Sequence, residues 1–217
     1  MGDFSSFTHV IFDLDGVLLD TEPFYTRATE QVVAPFGKVF DWSVKSQLMG
    51  RDALTSAETL VRALDLPISA QEYLDRKEPL LAALFPEATE IPGAARVVRT
   101  LSERGHRLAV ATSSSTPHFR LKTAHHDWFA LFDVVVCSDH PGVKRLKPAP
   151  DIFLVAAREL GVSPETCLVI EDSLAGVAAA AAAGMQVLAL ADRRLADAAF
   201  SGVRRVFRSY AELDLTP

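Results

Sequence analysis

At 217 residues, against roughly 150 per domain, the chain is long enough for one domain with a large insertion or two modest domains, each with a core of its own. Apolar residues at 49% and charged residues at 23% exclude a disordered chain, a collagen and a small disulfide scaffold. The 22 Lys and Arg against 28 Asp and Glu give a net charge of −6, which argues against a nucleic-acid polymer or an anionic membrane as the partner and leaves a local basic pocket for a small phosphate open.

The N-terminal residues, Met1 to Thr8, show no basic stretch followed by an apolar one, so no secretory signal is read and a cytoplasmic location is expected. Val10 to Phe12 is a short apolar burst that ends in Asp13-Leu14-Asp15-Gly16, the pattern of a buried strand carrying acids and a turn glycine at its carboxyl end. The stretch that follows changes rhythm. Helical patterns at Pro23–Phe36, Val44–Gly50, Ser56–Leu64 and Ala70–Phe85 come with no strand burst, so a helical cap is expected over residues 18–88, inserted after the first strand. Its ends near Leu18 and Ile91 would act as the hinge.

From Pro92 onward the unit is strand, loop, helix. Apolar bursts at Leu108–Ala111, Val134–Cys137, Cys167–Ile170, Val187–Leu190 and, less clearly, Val203–Phe207 are continuous rather than alternating, as in strands covered by helices on both faces. Helices are expected from Ala94 to Arg104 and Ala149 to Leu160, with Gly105 and Gly161 as stops, and Asp172 or Ser173 caps an alanine-rich helix ending at Gly184. The weakly polar tract Leu174–Ala191, cut by Gly176 and Gly184, reads as that helix and a buried strand rather than a membrane span. Cys137 and Cys167 lie in apolar runs and read as buried free thiols. The expected fold is therefore α/β, a Rossmann-like parallel sheet flanked by helices, with residues 1–17 and 89–217 as the core domain.

In a parallel sheet the carboxyl ends of all strands share one edge, where such sheets bind ligands. Asp13 and Asp15 end one burst and Glu171-Asp172 another, so four carboxyl groups can converge there, and like charges held so closely call for a cation, with magnesium the natural choice for oxygen donors. Thr112 and Ser113 also follow a burst, where hydroxyls and N–H groups can hold phosphate oxygens. Lys147, held out of the next helix by Pro148, can point its ammonium into the same place.

The ordered set Asp13-Leu14-Asp15-Gly16-Val17, Thr112-Ser113, Lys147-Pro148-Ala149-Pro150 and Glu171-Asp172-Ser173 resembles the haloacid dehalogenase-like hydrolases. It is similar to the branch with a small helical cap that includes phosphosugar phosphatases, pseudouridine-5′-phosphatases, glycerol-phosphate phosphatases and beta-phosphoglucomutase. The resemblance implies that Asp13 attacks phosphorus to form an aspartyl-phosphate, while Asp15 protonates the leaving oxygen and then activates water. It implies that Thr112 holds a phosphoryl oxygen, with Ser113 as a secondary donor, and that Lys147 stabilises Asp13 and the transferring group. Magnesium would be held by the carboxylates of Asp13 and Asp172 and the backbone carbonyl of Asp15, with Glu171 in support directly or through water.

The implied activity is a magnesium-dependent phosphomonoester hydrolase acting on a small phosphorylated metabolite, a sugar phosphate, polyol phosphate or nucleoside monophosphate, in a monomer. The alternative is a phosphosugar mutase of the beta-phosphoglucomutase type. Asp15 argues against the metal-free dehalogenases, which lack it, and against phosphonatases, which have alanine there. The mutases carry a histidine ten residues after the second aspartate, where this chain has Tyr25, which favours the phosphatase.

For substrate contacts the cap offers Arg51 in the Gly50-Arg51-Asp52 loop, equally readable as solvated, and Glu22 and Tyr25, as sugar or polyol contacts. His106, His125 and His126 form no ligand pattern with the acids, and Trp42, Trp128, Phe129 and Phe132 read as packing. Asp139 is expected to orient Lys147.

Overall fold

A computed structural model describes residues 2–48, 53–192 and 196–216. The chain falls into two compact units, residues 1–20 with 89–217, and residues 21–88. In chain order, strand β1 (His9–Phe12) leads to the two-residue β2 (Leu19–Asp20). The second unit carries helices α1 (Glu22–Val33), α2 (Trp42–Leu48), α3 (Ala53–Ala63) and α4 (Ala70–Leu84). The first unit resumes with β3 (Thr89–Glu90), α5 (Ala94–Glu103), β4 (Arg107–Ala111), α6 (Thr116–Thr123) and β5 (Val134–Val136). It is completed by α7 (Asp151–Leu160), β6 (Cys167–Glu171), α8 (Leu174–Ala182), β7 (Gln186–Leu190) and β8 (Arg205–Phe207).

The main sheet has the order β5-β4-β1-β6-β7-β8 and every pairing is parallel. β1 lies in the middle, and Phe12 pairs with Val110 on one side and Ile170 on the other, so Asp13, Thr112 and Glu171 leave the sheet at one edge. The continuous apolar runs have their expected reason. Ile11, Ala109 and Val169 are fully buried and pack in one cluster with Phe153 of α7 and Ala179 of α8. A parallel sheet flanked by helices, with a helical cap inserted after its first strand, is the observed architecture. β2 and β3 form a small antiparallel ribbon that the sequence pattern does not announce, since two residues carry no period. Through it Leu19 and Asp20 belong to the first unit, so the boundary falls at residue 21, a few residues past the expected 18.

The local chemistry explains the element ends. The Ser173 hydroxyl accepts from the Gly176 N–H at 3.0 Å at the start of α8, and the Ser69 hydroxyl accepts from Glu72 N–H at 3.1 Å at the start of α4. Gly161 stops α7 in the left-handed conformation at φ 76°. The tract Leu174–Ala191 divides into α8 and β7, and no helix among the described residues is long and apolar enough to cross a membrane. The helical unit has its own core, in which Val33, Leu60 and Tyr73 meet. Both cysteines are buried and free.

Candidate active site

The turn after β1 closes on itself. Gly16 N–H donates to Leu19 O at 2.9 Å and Leu18 N–H to Leu14 O at 2.9 Å, with Gly16 at φ +78°. A side chain on Gly16 would run into the Asp172 carboxylate, so glycine is required here both for the left-handed backbone and for the close approach of the two acidic loops. The hydroxyl of the fully buried Tyr210 donates to Val17 O at 3.1 Å and holds the turn from the C-terminal segment.

Asp13 is buried and its Oδ1 accepts from Lys147 Nζ at 2.5 Å. The same ammonium donates to Glu171 Oε1 at 2.6 Å and to the Ala111 carbonyl at 3.2 Å, and it lies 4.9 Å from the centre of the Phe153 ring. Burial pushes Asp13 up to about 7, with Glu171 and Asp15 adding to the rise and Lys147 opposing it. Burial opposes the charge of Lys147, yet Asp13 and Glu171 outweigh it and hold the ammonium above the usual lysine value. Removing either member of such a buried pair strands a charge, typically at about 3–5 kcal/mol.

Glu171 is 1% exposed, and both its oxygens are committed to donors of the chain. Oε1 takes Lys147, while Oε2 accepts from Asp172 N–H at 2.9 Å, Ser173 N–H at 2.8 Å and the Ser173 hydroxyl at 3.0 Å. A side chain on Gly176 would collide with this carboxylate, so the first turn of α8 closes directly over it. Asp172 differs. Its carboxylate accepts no hydrogen bond among the described residues, and burial first, then the charges of Glu171 and Asp13, push its pKa well up.

Thr112 is fully buried, its N–H donates to Val136 O at 3.0 Å, and its Oγ1 accepts from Ser114 N–H at 3.0 Å. Ser113, the secondary candidate, is exposed, whereas Ser114 turns inward and donates to Asp15 Oδ2 at 2.9 Å. Lys122 of α6 has a fully buried ammonium that donates to Asp15 Oδ1 at 2.6 Å and to Ser114 Oγ at 2.7 Å. The sequence pattern did not single out Lys122. It stands three residues after the half-buried Phe119, on the same helical face, and that spacing was the available sign of an inward lysine.

Asp139 does not orient Lys147. Its carboxylate accepts from Thr116 N–H at 3.0 Å and from the Thr116 hydroxyl at 2.8 Å, so it caps α6, where unpaired N–H groups and the helix dipole draw an anion.

The cap candidates lie in the helical unit. Glu22 pairs with Lys45 at 2.5 Å, and the Tyr25 ring lies edge-on to Phe85 at 5.6 Å, with the Lys77 ammonium 5.6 Å from its centre. Lys77 stands 5.5 Å from the Tyr73 ring as well. Arg51 and its loop lie outside the described residues.

The six motif residues Asp13, Asp15, Thr112, Lys147, Glu171 and Asp172 thus come from separate strand ends into one polar cluster. Among the described residues, no three His, Cys, Asp or Glu side chains group as a ready metal-ligand set. What the cluster offers a hard cation is the buried carboxylate of Asp13 and the half-buried one of Asp172. Their destabilised charges are the circumstance a dication relieves.

Comparison with known proteins agrees with this arrangement. The family described as haloacid dehalogenase-like hydrolase matches residues 7–184. The chain is 45% identical over 196 residues to the mitochondrial (DL)-glycerol-3-phosphatase 1 of Arabidopsis thaliana, covering 88% of this chain and 66% of that protein. It is 43% identical over 209 residues to a probable pseudouridine-5′-phosphatase of Drosophila melanogaster, covering 94% and 90%. The crystal structure of CbbY from Rhodobacter sphaeroides in complex with phosphate superposes with a TM-score of 0.77 at 30% identity, over 95% of this chain and 96% of that one. With the motif residues gathered at the carboxyl edge of its parallel sheet, the chain belongs to the haloacid dehalogenase-like hydrolases and is an enzyme of their phosphatase type.

Proposed function

We propose that this protein is a magnesium-dependent phosphomonoester hydrolase acting through an aspartyl-phosphate on a small phosphorylated metabolite, a sugar phosphate, polyol phosphate or nucleoside monophosphate. The observation that carries the reading is the buried Asp13 carboxylate held at one oxygen by Lys147, at the end of the central strand. Its other oxygen accepts no hydrogen bond among the described residues and is the one available to attack phosphorus. Resemblance to a glycerol-phosphate phosphatase and a pseudouridine-phosphate phosphatase supports a small hydroxylated leaving group.

In this reading Asp13 displaces the leaving oxygen, Asp15 gives that oxygen its proton, and Thr112 steadies a phosphoryl oxygen. Lys147 offsets the negative charge shared by Asp13 and the phosphoryl group. Asp15, now a carboxylate, takes a proton from water as that water attacks the phospho-enzyme, which releases phosphate and restores Asp13. The carboxylates of Asp13 and Asp172 and the Asp15 carbonyl would hold magnesium, which when bound neutralises phosphoryl oxygens in the transition state. Glu171 acts through Lys147 and the loop rather than as a metal ligand, because both its oxygens are already taken.

The test is phosphate release from a panel of sugar, polyol and nucleoside monophosphates, with and without magnesium, beside Asp13→Asn. Magnesium-dependent release abolished in the folded variant is expected. Full activity of Asp13→Asn would remove the nucleophile assignment, and isomerisation of a phosphosugar without net release would make the protein a mutase.

A further inference from the structure

Lys122 carries an ammonium with no exposed surface, and a charge so placed costs several kcal/mol unless it is met by an opposite charge and hydrogen bonds. It is met by one side chain of the candidate site. Lys122 Nζ donates to Asp15 Oδ1 at 2.6 Å and to Ser114 Oγ at 2.7 Å, and Ser114 Oγ passes a hydrogen bond to Asp15 Oδ2 at 2.9 Å. Ser114 is itself fixed, because its N–H donates to Thr112 Oγ1 at 3.0 Å. Both oxygens of Asp15 therefore accept from donors that cannot swing away, while the carboxylate keeps 27% of its surface open. The arrangement fixes the direction of both Asp15 oxygens and leaves the carboxylate reachable by water.

We propose that Lys122, with Ser114, is the positioning residue that holds Asp15 as the base for hydrolysis of the phospho-enzyme, and so directs the phosphoryl group to water. This rests on the function proposed above. Water loses a proton to Asp15 as its oxygen bonds to phosphorus, the bond from phosphorus to Asp13 breaks, and Asp13 recovers its electron pair as a carboxylate. Asp15 then holds the proton that the next leaving oxygen takes. Lys122, Ser114 and Asp15 all belong to the first unit, so the base is held by the core alone.

The two halves of the cycle separate with p-nitrophenyl phosphate, whose leaving group departs as a stable anion and asks no proton of Asp15. Lys122→Met should still release one equivalent of p-nitrophenol in a rapid burst. Turnover should then fall about 100-fold, with the phospho-enzyme accumulating and visible by intact mass. Lys122→Arg should restore part of the turnover and remove the accumulation. Ser114→Ala, which keeps the ammonium, should show the same burst with turnover lowered about three- to tenfold.

Turnover of Lys122→Met within about threefold of the parent would overturn the proposal, as would loss of burst and turnover together without phospho-enzyme. If Lys122→Met does not fold, Ser114→Ala decides alone, and turnover without accumulation in it counts against the proposal. Asp13→Asn keeps the underlying reading separate, since a burst surviving there would defeat the nucleophile assignment whatever Lys122 does.

Discussion

The hydroxyl of Tyr210 donates to the main-chain oxygen of Val17 at 3.1 Å, joining positions 193 residues apart. Val17 lies in the turn that carries Asp13 and Asp15, and the phenol is fully buried. Burial first, then the charges of Asp172 and Asp13, push its pKa up, so it remains a donor throughout the working range. Tyr210→Phe leaves the Val17 carbonyl without this donor and should cost about 1–3 kcal/mol, read as a lower urea midpoint at an unchanged slope. An unchanged midpoint would show that water replaces the phenol.

Gly16→Ala should be more damaging. The positive φ disfavours any side chain by roughly 1–2 kcal/mol, and the added methyl group meets the Asp172 carboxylate. Both effects press on the proposed magnesium ligands, so a lower melting temperature together with a higher magnesium requirement is expected. A variant that melts lower but keeps the parent's magnesium dependence would separate the turn from the metal site.

Glu171→Gln tests whether this residue serves the metal or Lys147. Its carboxylate takes the ammonium at 2.6 Å and three further donors, so the variant should lower kcat about 10- to 100-fold while leaving the magnesium concentration for half-activity nearly unchanged. A large rise in that concentration would make Glu171 a ligand.

Lys77 gives the helical unit a pH dependence. Burial lowers its pKa to about 8, Lys45 adds to the fall, and Glu22 opposes it. The folded value lies below the ordinary lysine value of 10.5, so between about 8 and 10.5 the unfolded chain binds more protons and stability rises with pH. Below 8 the penalty is fully present. Lys77→Met should therefore be more stable than the parent at pH 7 and lose part of the parent's rise between pH 8 and 10, measured by thermal melts across that range. Equal pH slopes in the two proteins would show that Tyr25 and Tyr73, whose rings favour the cation, offset the burial.

The sequence by itself determined the parallel sheet, because strands buried on both faces must be apolar without interruption, and runs such as Cys167–Ile170 have no other reading in an α/β rhythm. It also put Asp13, Thr112 and Asp172 at one edge, since they follow those runs directly and all parallel strands present their ends there, whereas Lys147, ten residues past Cys137, was pointed there by Pro148 and by the family resemblance. What it could not determine is which donor each oxygen meets. Glu171 and Asp172 are adjacent acids after one strand, yet one is filled by Lys147 and the amides opening α8, and the other receives no donor among the described residues. Lys122 and Asp139 show the same limit. One belongs to Asp15 across 107 positions and the other caps α6 instead of reaching Lys147. Periodicity reports which face of an element is buried, whereas pairing between side chains distant in sequence depends on where the strand ends and helix turns come to lie, and only the tertiary structure decides that.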